Sequence, residues 1–277
     1  MAIAVLVAAA GVTVALASAP AGSAFRQVQP EPNPCIGPEA ALLRCPDLVM
    51  RRPYGVYRDR LTRAGHILLR AGNVIDSVGR GPAELRGVRT SRRYMRAYQR
   101  IYARNGGRID VNTGAQLEYK FAHQHRYWWK FEDAARFELW RVNHRGRRMQ
   151  RVRVGPKVAY CLRDLTHTRP RLRRSPRRAV YPACSTDPRR QRVTLGTSPG
   201  WADVYPPVYP EQWIDVTGLQ GCFAYVHRAD PENGVYESNE NNNLAQAIVR
   251  LPFRIANRRG GCPGRDRGRG FDPDRYY

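Results

Sequence analysis

Short apolar runs separated by Gly, Pro and Asn recur through most of this 277-residue chain. Runs of this length, bounded by turn-forming residues, predict β-strands rather than helices. A hairpin is expected where Asn105-Gly106-Gly107 precedes residues 108–111, and it is favoured over the alternative of a helix from Tyr94 to Tyr102. The other predicted strands cover residues 66–70, 73–77 and 83–86, one or two strands within 121–140, and residues 157–162, 212–216, 222–227 and 245–251. This pattern predicts an all-β fold, a β-sandwich with long loops.

The N-terminal segment predicts export. Residues 2–18 are almost wholly apolar, and small-residue sites that fit signal-peptidase cleavage follow them, so residues 1–24 are predicted to be a signal peptide. The alternative is a membrane anchor, for which the segment is marginally long, and no second apolar run reaches spanning length. The other predicted divisions are a Pro-rich leader over 25–50, the β-sandwich domain over 51–253 with a Pro/Arg-rich insertion over 168–192, and a flexible, disordered basic tail over 254–277.

Six cysteines all lie beyond the apolar segment, and their even number suits an oxidising compartment. Local closure favours the pairs Cys35–Cys45, Cys161–Cys184 and Cys222–Cys262. The absence of a CxxC pair argues against a zinc site, and the even count argues against a lone catalytic thiol. We therefore expect three disulfides in a secreted protein.

The formal net charge is +24, and only three of the 47 basic residues are lysines. The charge is unevenly distributed: residues 126–192 hold 20 basic and 5 acidic side chains, whereas residues 193–253 hold 2 basic and 7 acidic ones. The basic stretch is compatible with an anionic cell-surface polymer. Nucleic acid is the weaker hypothesis because no nucleic-acid motif accompanies the charge. The simplest interpretation is that these arginines are solvated in loops.

Three segments contain residue types suited to catalysis. On a strand, His123 and His125 would share one face, and paired imidazoles suit Cu(II); the alternative is two surface histidines. Lys157 precedes an apolar strand, and its primary amine, unlike a guanidinium, can add to a carbonyl or quinone carbon. Asp203 and Tyr205 are two residues apart in an extended run, an arrangement that suits a phenol-derived cofactor beside a base. The alternatives are a solvated lysine and aromatic packing against prolines.

Taken together and in order, these segments resemble the lysyl oxidase family of secreted, copper-dependent amine oxidases. The resemblance covers about residues 60–253 and rests on the strand and hairpin over 66–86, on His123-Gln124-His125 running into Ala135-Arg136-Phe137-Glu138-Leu139, on Gly155-Pro156-Lys157-Val158-Ala159-Tyr160-Cys161-Leu162, on Ser198-Pro199-Gly200-Trp201-Ala202-Asp203-Val204-Tyr205 with Gln212-Trp213-Ile214-Asp215-Val216-Thr217, and on Tyr236-Glu237-Ser238-Asn239-Glu240-Asn241-Asn242-Asn243.

The resemblance implies a lysine tyrosylquinone cofactor made from Lys157 and Tyr205, with Asp203 as the base that removes the substrate's α-proton. His123 and His125 match the first two members of the family's His-x-His-x-His copper motif. The sequence departs from that motif at the third histidine, where Tyr127 stands or, in an alternative alignment through Trp129, Lys130. Phenol and ammonium must each lose a proton before they bind Cu(II). The other histidines that could substitute are His144, His167 and His227.

Two functional hypotheses follow. The first is a copper-dependent oxidase that converts a primary amine or a lysine-bearing substrate to an aldehyde, releasing ammonia and hydrogen peroxide. The second is a catalytically degenerate member of the family that binds an anionic cell-envelope polymer. The missing copper ligand favours the second hypothesis, and the presence together of Lys157, Asp203 and Tyr205 favours the first.

Overall fold

A computed structural model describes residues 29–122, 126–252 and 257–276 of the chain. These residues form sixteen strands: β1 Leu43–Arg44, β2 Leu48–Met50, β3 Tyr54–Asp59, β4 Leu68–Ser77, β5 Ala83–Arg89, β6 Tyr94–Ala103, β7 Arg108–Val111, β8 Gln116–Phe121, β9 Tyr127–Val142, β10 Arg148–Val154, β11 Val158–Tyr160, β12 Arg192–Thr197, β13 Ala202–Tyr205, β14 Trp213–Asp215, β15 Gly221–Ala229 and β16 Leu244–Leu251. Short 3-10 helices cover Pro38–Leu42 and Pro273–Arg275. None of the helices in the described part of the chain is long and apolar enough to cross a membrane.

The larger sheet is antiparallel and contains eleven of the described strands. Its main order is β12-β5-β6-β8-β9-β15-β16, with β1 and β7 paired to β6 and with β10 and β11 paired to β9. The hairpin of β6 and β7 confirms the prediction made from Asn105-Gly106-Gly107, because the two-stranded pairing runs from Gln99↔Val111 to Tyr102↔Arg108. The 16-residue strand β9 is the central support, since it pairs with β8, β10, β11 and β15.

The smaller sheet of five strands is built around β4. Strands β13 and β14 pair with one edge of β4, and β2 and β3 pair with the other. The sequence predicted two strands, at 66–70 and 73–77, but the structure has one continuous strand whose ten residues are all buried. Between the two predicted runs, Gly72 lies under the ring of Tyr54, and a Cβ at Gly72 would lie 2.2 Å from that ring.

The hydrophobic core lies between the two sheets and confirms the predicted sandwich. Strand β14 contacts β9 and β10, and β2 contacts β15 and β16, so both halves of the smaller sheet face the larger one. The largest fully buried side chains include Trp129, Phe137, Phe223 and Tyr225. Burial of one such side chain is worth about 1.5–3 kcal/mol. Alternate side chains of β9 and β15 point into this core, as expected for strands that have one face towards the opposite sheet.

All three predicted disulfides are present: Cys35–Cys45, Cys161–Cys184 and Cys222–Cys262. They close loops of 10, 23 and 40 residues and leave no free cysteine in the described part of the chain. Within the predicted insertion over 168–192, residues 168–191 contain neither helix nor strand, and Arg192 begins β12. The second disulfide fixes the end of this loop beside β11.

The C-terminal residues differ from the predicted free tail, because residues 257–276 lie against the sandwich. The backbones of Gln246 and Arg267 exchange hydrogen bonds of 3.1 and 2.9 Å, and Phe271 packs on Tyr54 with ring centroids 5.1 Å apart. Cys262 adds a covalent link to β15. The basic, Gly-rich composition predicts flexibility. A single disulfide at Cys262 and a single buried aromatic ring at Phe271 are enough to hold the segment in place, and composition does not reveal them. Likewise, residues 43–50, counted in the leader, contribute β1 and β2.

A hydrogen-bonded histidine–aspartate pair at the sandwich edge predicts a local pH dependence. His66 Nδ1 and Asp215 Oδ2 lie 2.6 Å apart, which ties β14 to the start of β4. Hydrogen bonds from Thr217 and His66 lower the pKa of Asp215 to about 2. A lowered folded-state pKa stabilises the fold above the pKa of the unfolded chain, and this contribution is lost as pH falls towards 2.

Asp215→Asn should therefore reduce the stability at pH 7 by up to about 1 kcal/mol. It should also flatten the acid limb of the stability profile, which is the fall in stability between pH 4 and pH 2. Urea titrations at several pH values would show this, and an unchanged acid limb would contradict it.

Candidate active site

Asp203 and Tyr205 lie on β13, whose four residues are all buried. The strand pairs with the second half of β4, with Asp203 opposite Ile75 and Tyr205 opposite Asn73. Because side chains alternate along a strand, residues two apart lie on the same side. The two groups are therefore held on one face of an interior strand, shielded from water.

Three tyrosines, Tyr160, Tyr205 and Tyr209, form a packed group that we call the tyrosine cluster. The rings of Tyr160 and Tyr205 are stacked, with centroids 3.7 Å apart and planes inclined by 9°. Tyr209 meets the Tyr205 ring edge-on at 4.7 Å. The Tyr205 hydroxyl donates to the Cys161 carbonyl oxygen over 3.0 Å. The phenol that the family resemblance assigns to the cofactor is thus fixed by stacking, by edge contact and by one hydrogen bond.

Burial governs the electrostatics of this site. It raises the pKa of Asp203 well above its usual range, and the positive charge of Arg163 opposes that shift. Neither carboxyl oxygen of Asp203 has a hydrogen-bond partner of standard geometry among the described residues. Burial also raises the pKa of Tyr205 and Tyr160, and the Asp203 charge adds to both shifts. A carboxyl group whose pKa is raised by burial holds its proton more tightly than an exposed one and is a stronger base once it is ionised.

Lys130 is the fifth member of the site, after Asp203 and the three tyrosines. Its side chain is fully buried, and Nζ donates to the Tyr209 hydroxyl at 2.8 Å and to the Phe121 carbonyl at 2.7 Å. Burial lowers its pKa to about 8. The sequence indicates Lys130 only as an alternative third copper position, and no motif predicts its contact with the tyrosines. The scarcity of lysine in the chain was the one feature that could have drawn attention to it.

Lys157 lies elsewhere. It precedes β11, its side chain is 74% exposed, and Nζ is 3.1 Å from Asp133 Oδ2. This hydrogen bond raises the pKa of Lys157. Asp133 has a φ of 52° within β9, where the pairing with β11 shifts register. The structure therefore brings Asp203 and Tyr205 together but gives the amine of Lys157 and the ring of Tyr205 different partners.

Acidic side chains surround Lys157. A surface pocket of about 450 Å³ is lined by Lys157 and by four carboxylates from two segments, Glu132, Asp133, Asp230 and Glu232. Burial raises the pKa of Asp230 to about 7, while backbone amides of Gly234 and Val235 donate to its carboxylate. In a chain of net charge +24, this pocket is unusual because its acidic lining residues outnumber its one basic residue.

The predicted copper ligands His123 and His125 lie outside the described residues. Tyr127, the first alternative for the third ligand, is exposed and stacks on Tyr119 with centroids 5.7 Å apart. Lys130, the second alternative, directs its ammonium group to Tyr209. The Lys130 amine is therefore already engaged inside the protein and is not free to bind Cu(II).

The three substitute histidines have separate environments. His167 stacks on Trp201 and shares a 2.7 Å hydrogen bond with Ser175, whereas His227 is fully buried and burial lowers its pKa to about 3. His144 lies in the exposed turn between β9 and β10. Over residues 29–122, 126–252 and 257–276, no group of three or more His, Cys, Asp or Glu side chains is arranged to hold a metal ion. The described residues thus do not complete a copper site.

Lys130 offers a test of the buried charge. A lysine whose folded-state pKa is depressed makes the fold more stable as pH rises through the interval between that pKa and the unfolded value. We expect wild-type protein to gain about 3 kcal/mol relative to Lys130→Met between pH 7.5 and pH 10.5. Chemical denaturation of both proteins across this range measures the difference. Lys120→Met, which removes a partly exposed lysine paired with Glu211, is the control and should show a much smaller trend.

Sequence comparison identifies the family. A model of the family described as Lysyl oxidase matches residues 80–256, which is more than half of the chain and includes the Lys157, Asp203 and Tyr205 segments. No curated protein matches the sequence. The β-sandwich, the three disulfides and this match agree with the family resemblance seen in the sequence. The chain therefore belongs to the lysyl oxidase family.

Proposed function

We propose that the chain is a secreted amine oxidase of the lysyl oxidase type, which converts a primary amine to an aldehyde with release of ammonia and hydrogen peroxide. The observation that carries the proposal is the buried pair of Asp203 and Tyr205 on β13, held against Tyr160 and Tyr209. A phenol and a carboxyl group of raised pKa on one face of a dry strand suit a phenol-derived cofactor with a base beside it. The three disulfides support export to an oxidising compartment.

Each protein group has a role in this proposal. In the family, lysine tyrosylquinone supplies the carbonyl that accepts the amine, and copper serves its formation and reoxidation. Here Tyr205 and Lys157 are the proposed cofactor residues, and Asp203 takes the α-proton in its ionised form, which burial makes strongly basic. His123 and His125 are the proposed copper ligands, although the described residues add no third one. The acidic pocket around Lys157 would attract the ammonium group of a substrate.

Formation of the cofactor requires Lys157 to leave Asp133. Its ion pair is largely exposed, and such pairs contribute only about 0–1 kcal/mol, so the contact is a weak restraint. Tyr205, by contrast, is fixed by its stack on Tyr160 and its hydrogen bond to Cys161. The movement that joins the two residues is therefore expected on the Lys157 side.

The experiment is to load the protein with copper in air, assay peroxide release from simple primary amines, and determine by mass spectrometry whether the Lys157 and Tyr205 peptides are joined. Lys157→Arg should abolish both the cross-link and the peroxide, because guanidinium stays protonated and does not add to the oxidised ring. Lys120→Arg is the matched control and should retain both. Unmodified Lys157 and Tyr205 peptides together with no peroxide would reject the oxidase.

A second candidate function is favoured by one observation: Lys157 is largely exposed and paired with Asp133, whereas Tyr205 is buried against other partners. In this alternative, the chain is a catalytically degenerate family member that binds an anionic cell-envelope polymer through its basic surface. It predicts no copper-dependent change in the mass of either peptide.

A further inference from the structure

Five arginines gather along one groove, far from β13 in the chain. Two segments supply them: the turn between β9 and β10, and the stretch that follows Cys262. The groove has a volume of about 690 Å³. We call it the arginine groove and define it by Arg145, Arg147, Arg148, Arg265 and Arg267.

Backbone contacts hold the two segments together. Gly146 and Gly264 face each other so closely that a Cβ on Gly146 would lie 2.0 Å from the Gly264 Cα. Both glycines have positive φ, 72° and 101°, which other residues rarely adopt. The Asn143 side-chain oxygen accepts hydrogen bonds from two backbone amides of the turn, and the disulfide Cys222–Cys262 anchors the second segment. The groove is therefore preorganised rather than assembled from loose loops.

The positive charges of the arginine groove are not neutralised by the protein. Asp266 is its one acidic lining residue, and its carboxylate is already engaged by Arg258, by Arg52 and by the Ile248 amide. In the described part of the chain, no ion pair reaches any of the five groove arginines. The nearby positive charge of Arg267 adds to burial in lowering the pKa of Arg148.

Like charges held together on a rigid frame repel one another, and an anion bound between them relieves that repulsion. Guanidinium groups also present paired N–H donors that match phosphate oxygens. The groove is much larger than one phosphate ion, so its dimensions suit several consecutive units of a polymer. Its lining contains no aromatic side chain on which a nucleic-acid base could stack.

We propose that the arginine groove is a binding site for a linear polymer of repeating phosphate groups without bases. The site shares no residue with the proposed oxidase site, and it would attach the protein to an anionic envelope. It also gives a location to the anionic partner for which the sequence offered only the basic stretch over 126–192.

The test uses the full mature chain and inorganic polyphosphate as the probe, with binding measured by calorimetry at several salt concentrations. The double variant Arg147→Ala/Arg265→Ala should lose at least about tenfold in affinity and show a shallower salt dependence. The double variant Arg60→Ala/Arg63→Ala removes the same charge from an exposed loop and should lose less than about twofold. Both variants should keep any peroxide release of the wild-type protein, so failure of the groove and failure of the oxidase are distinguishable.

The competing ligands complete the test. Polygalacturonate presents repeating carboxylates, and single-stranded DNA of equal charge presents phosphates with bases. We expect polyphosphate to bind more tightly than either. Equal losses in the two double variants would show that only bulk charge acts and would overturn the site. Tighter binding of polygalacturonate or DNA through Arg147 and Arg265 would overturn the assignment to a base-free phosphate polymer.

Discussion

Replacing Asp203 by asparagine is expected to raise the melting temperature at pH 7 by a few degrees and to lower amine oxidation by about 10²–10⁴-fold. Burial raises the pKa of this carboxyl group in the folded protein. In the unfolded chain the group has its ordinary pKa near 3.8 and is ionised at neutral pH. Folding at neutral pH must therefore either bury a charge or take up a proton, and both lower the stability of the fold. Asparagine has no ionisable group, so the variant avoids this free-energy cost, which is about 1.4 kcal/mol for each unit by which folding raises the pKa. The variant also lacks the proposed base.

The pH profile distinguishes this explanation from simple repacking. Relative to Asp203→Asn, the wild-type protein should become less stable as pH rises from 4 to 7. The unfolded chain loses the Asp203 proton over this range, whereas the folded protein retains it, so folding requires the uptake of a proton that becomes scarcer. Asp215→Asn is a useful control, since its carboxylate has a lowered pKa and its loss should destabilise the fold without affecting oxidation. A less stable Asp203→Asn protein with full activity would contradict both the electrostatic and the catalytic role.

Removal of the disulfide Cys161–Cys184 by paired alanine substitutions is expected to cost about 3 kcal/mol of stability. The disulfide closes a 23-residue loop and lies next to the carbonyl group that accepts the Tyr205 hydroxyl. Its loss should therefore also loosen Tyr205 and reduce cofactor formation. Urea denaturation measures the first effect, and the yield of joined Lys157 and Tyr205 peptides measures the second.

The disulfide Cys35–Cys45 provides the matched control. Its 10-residue loop should contribute a similar stability, about 2–3 kcal/mol, but it packs in a separate small core with Leu43 and Ile101. The paired alanine variant at these positions should lose stability and keep the cofactor yield. Equal cofactor yields in both double variants would show that the disulfide beside Tyr205 does not position the ring.

Local sequence was a good guide to the strands and disulfides because both depend on short-range features. Asn105-Gly106-Gly107 was sufficient to choose a hairpin over a helix, since few other conformations suit consecutive turn-forming residues. The nearest-neighbour pairing of cysteines was also confirmed. Local sequence was a poor guide to β4, which was predicted as two strands but runs without a break through Gly72, beneath Tyr54. It was also a poor guide to the C-terminal residues, which were predicted to be a free tail.

The sequence by itself determined the family, the all-β class and the presence of an aspartate and a tyrosine on one face of a strand, because ordered motifs and a two-residue period are properties of the chain alone. Only the tertiary structure decided that Tyr160, Tyr209 and Lys130 surround Tyr205, whereas Lys157 pairs with Asp133. Such contacts join residues distant in sequence. These contacts depend on how the two sheets pack and on whether a charged group has partners that compensate for its burial. A short sequence motif specifies neither.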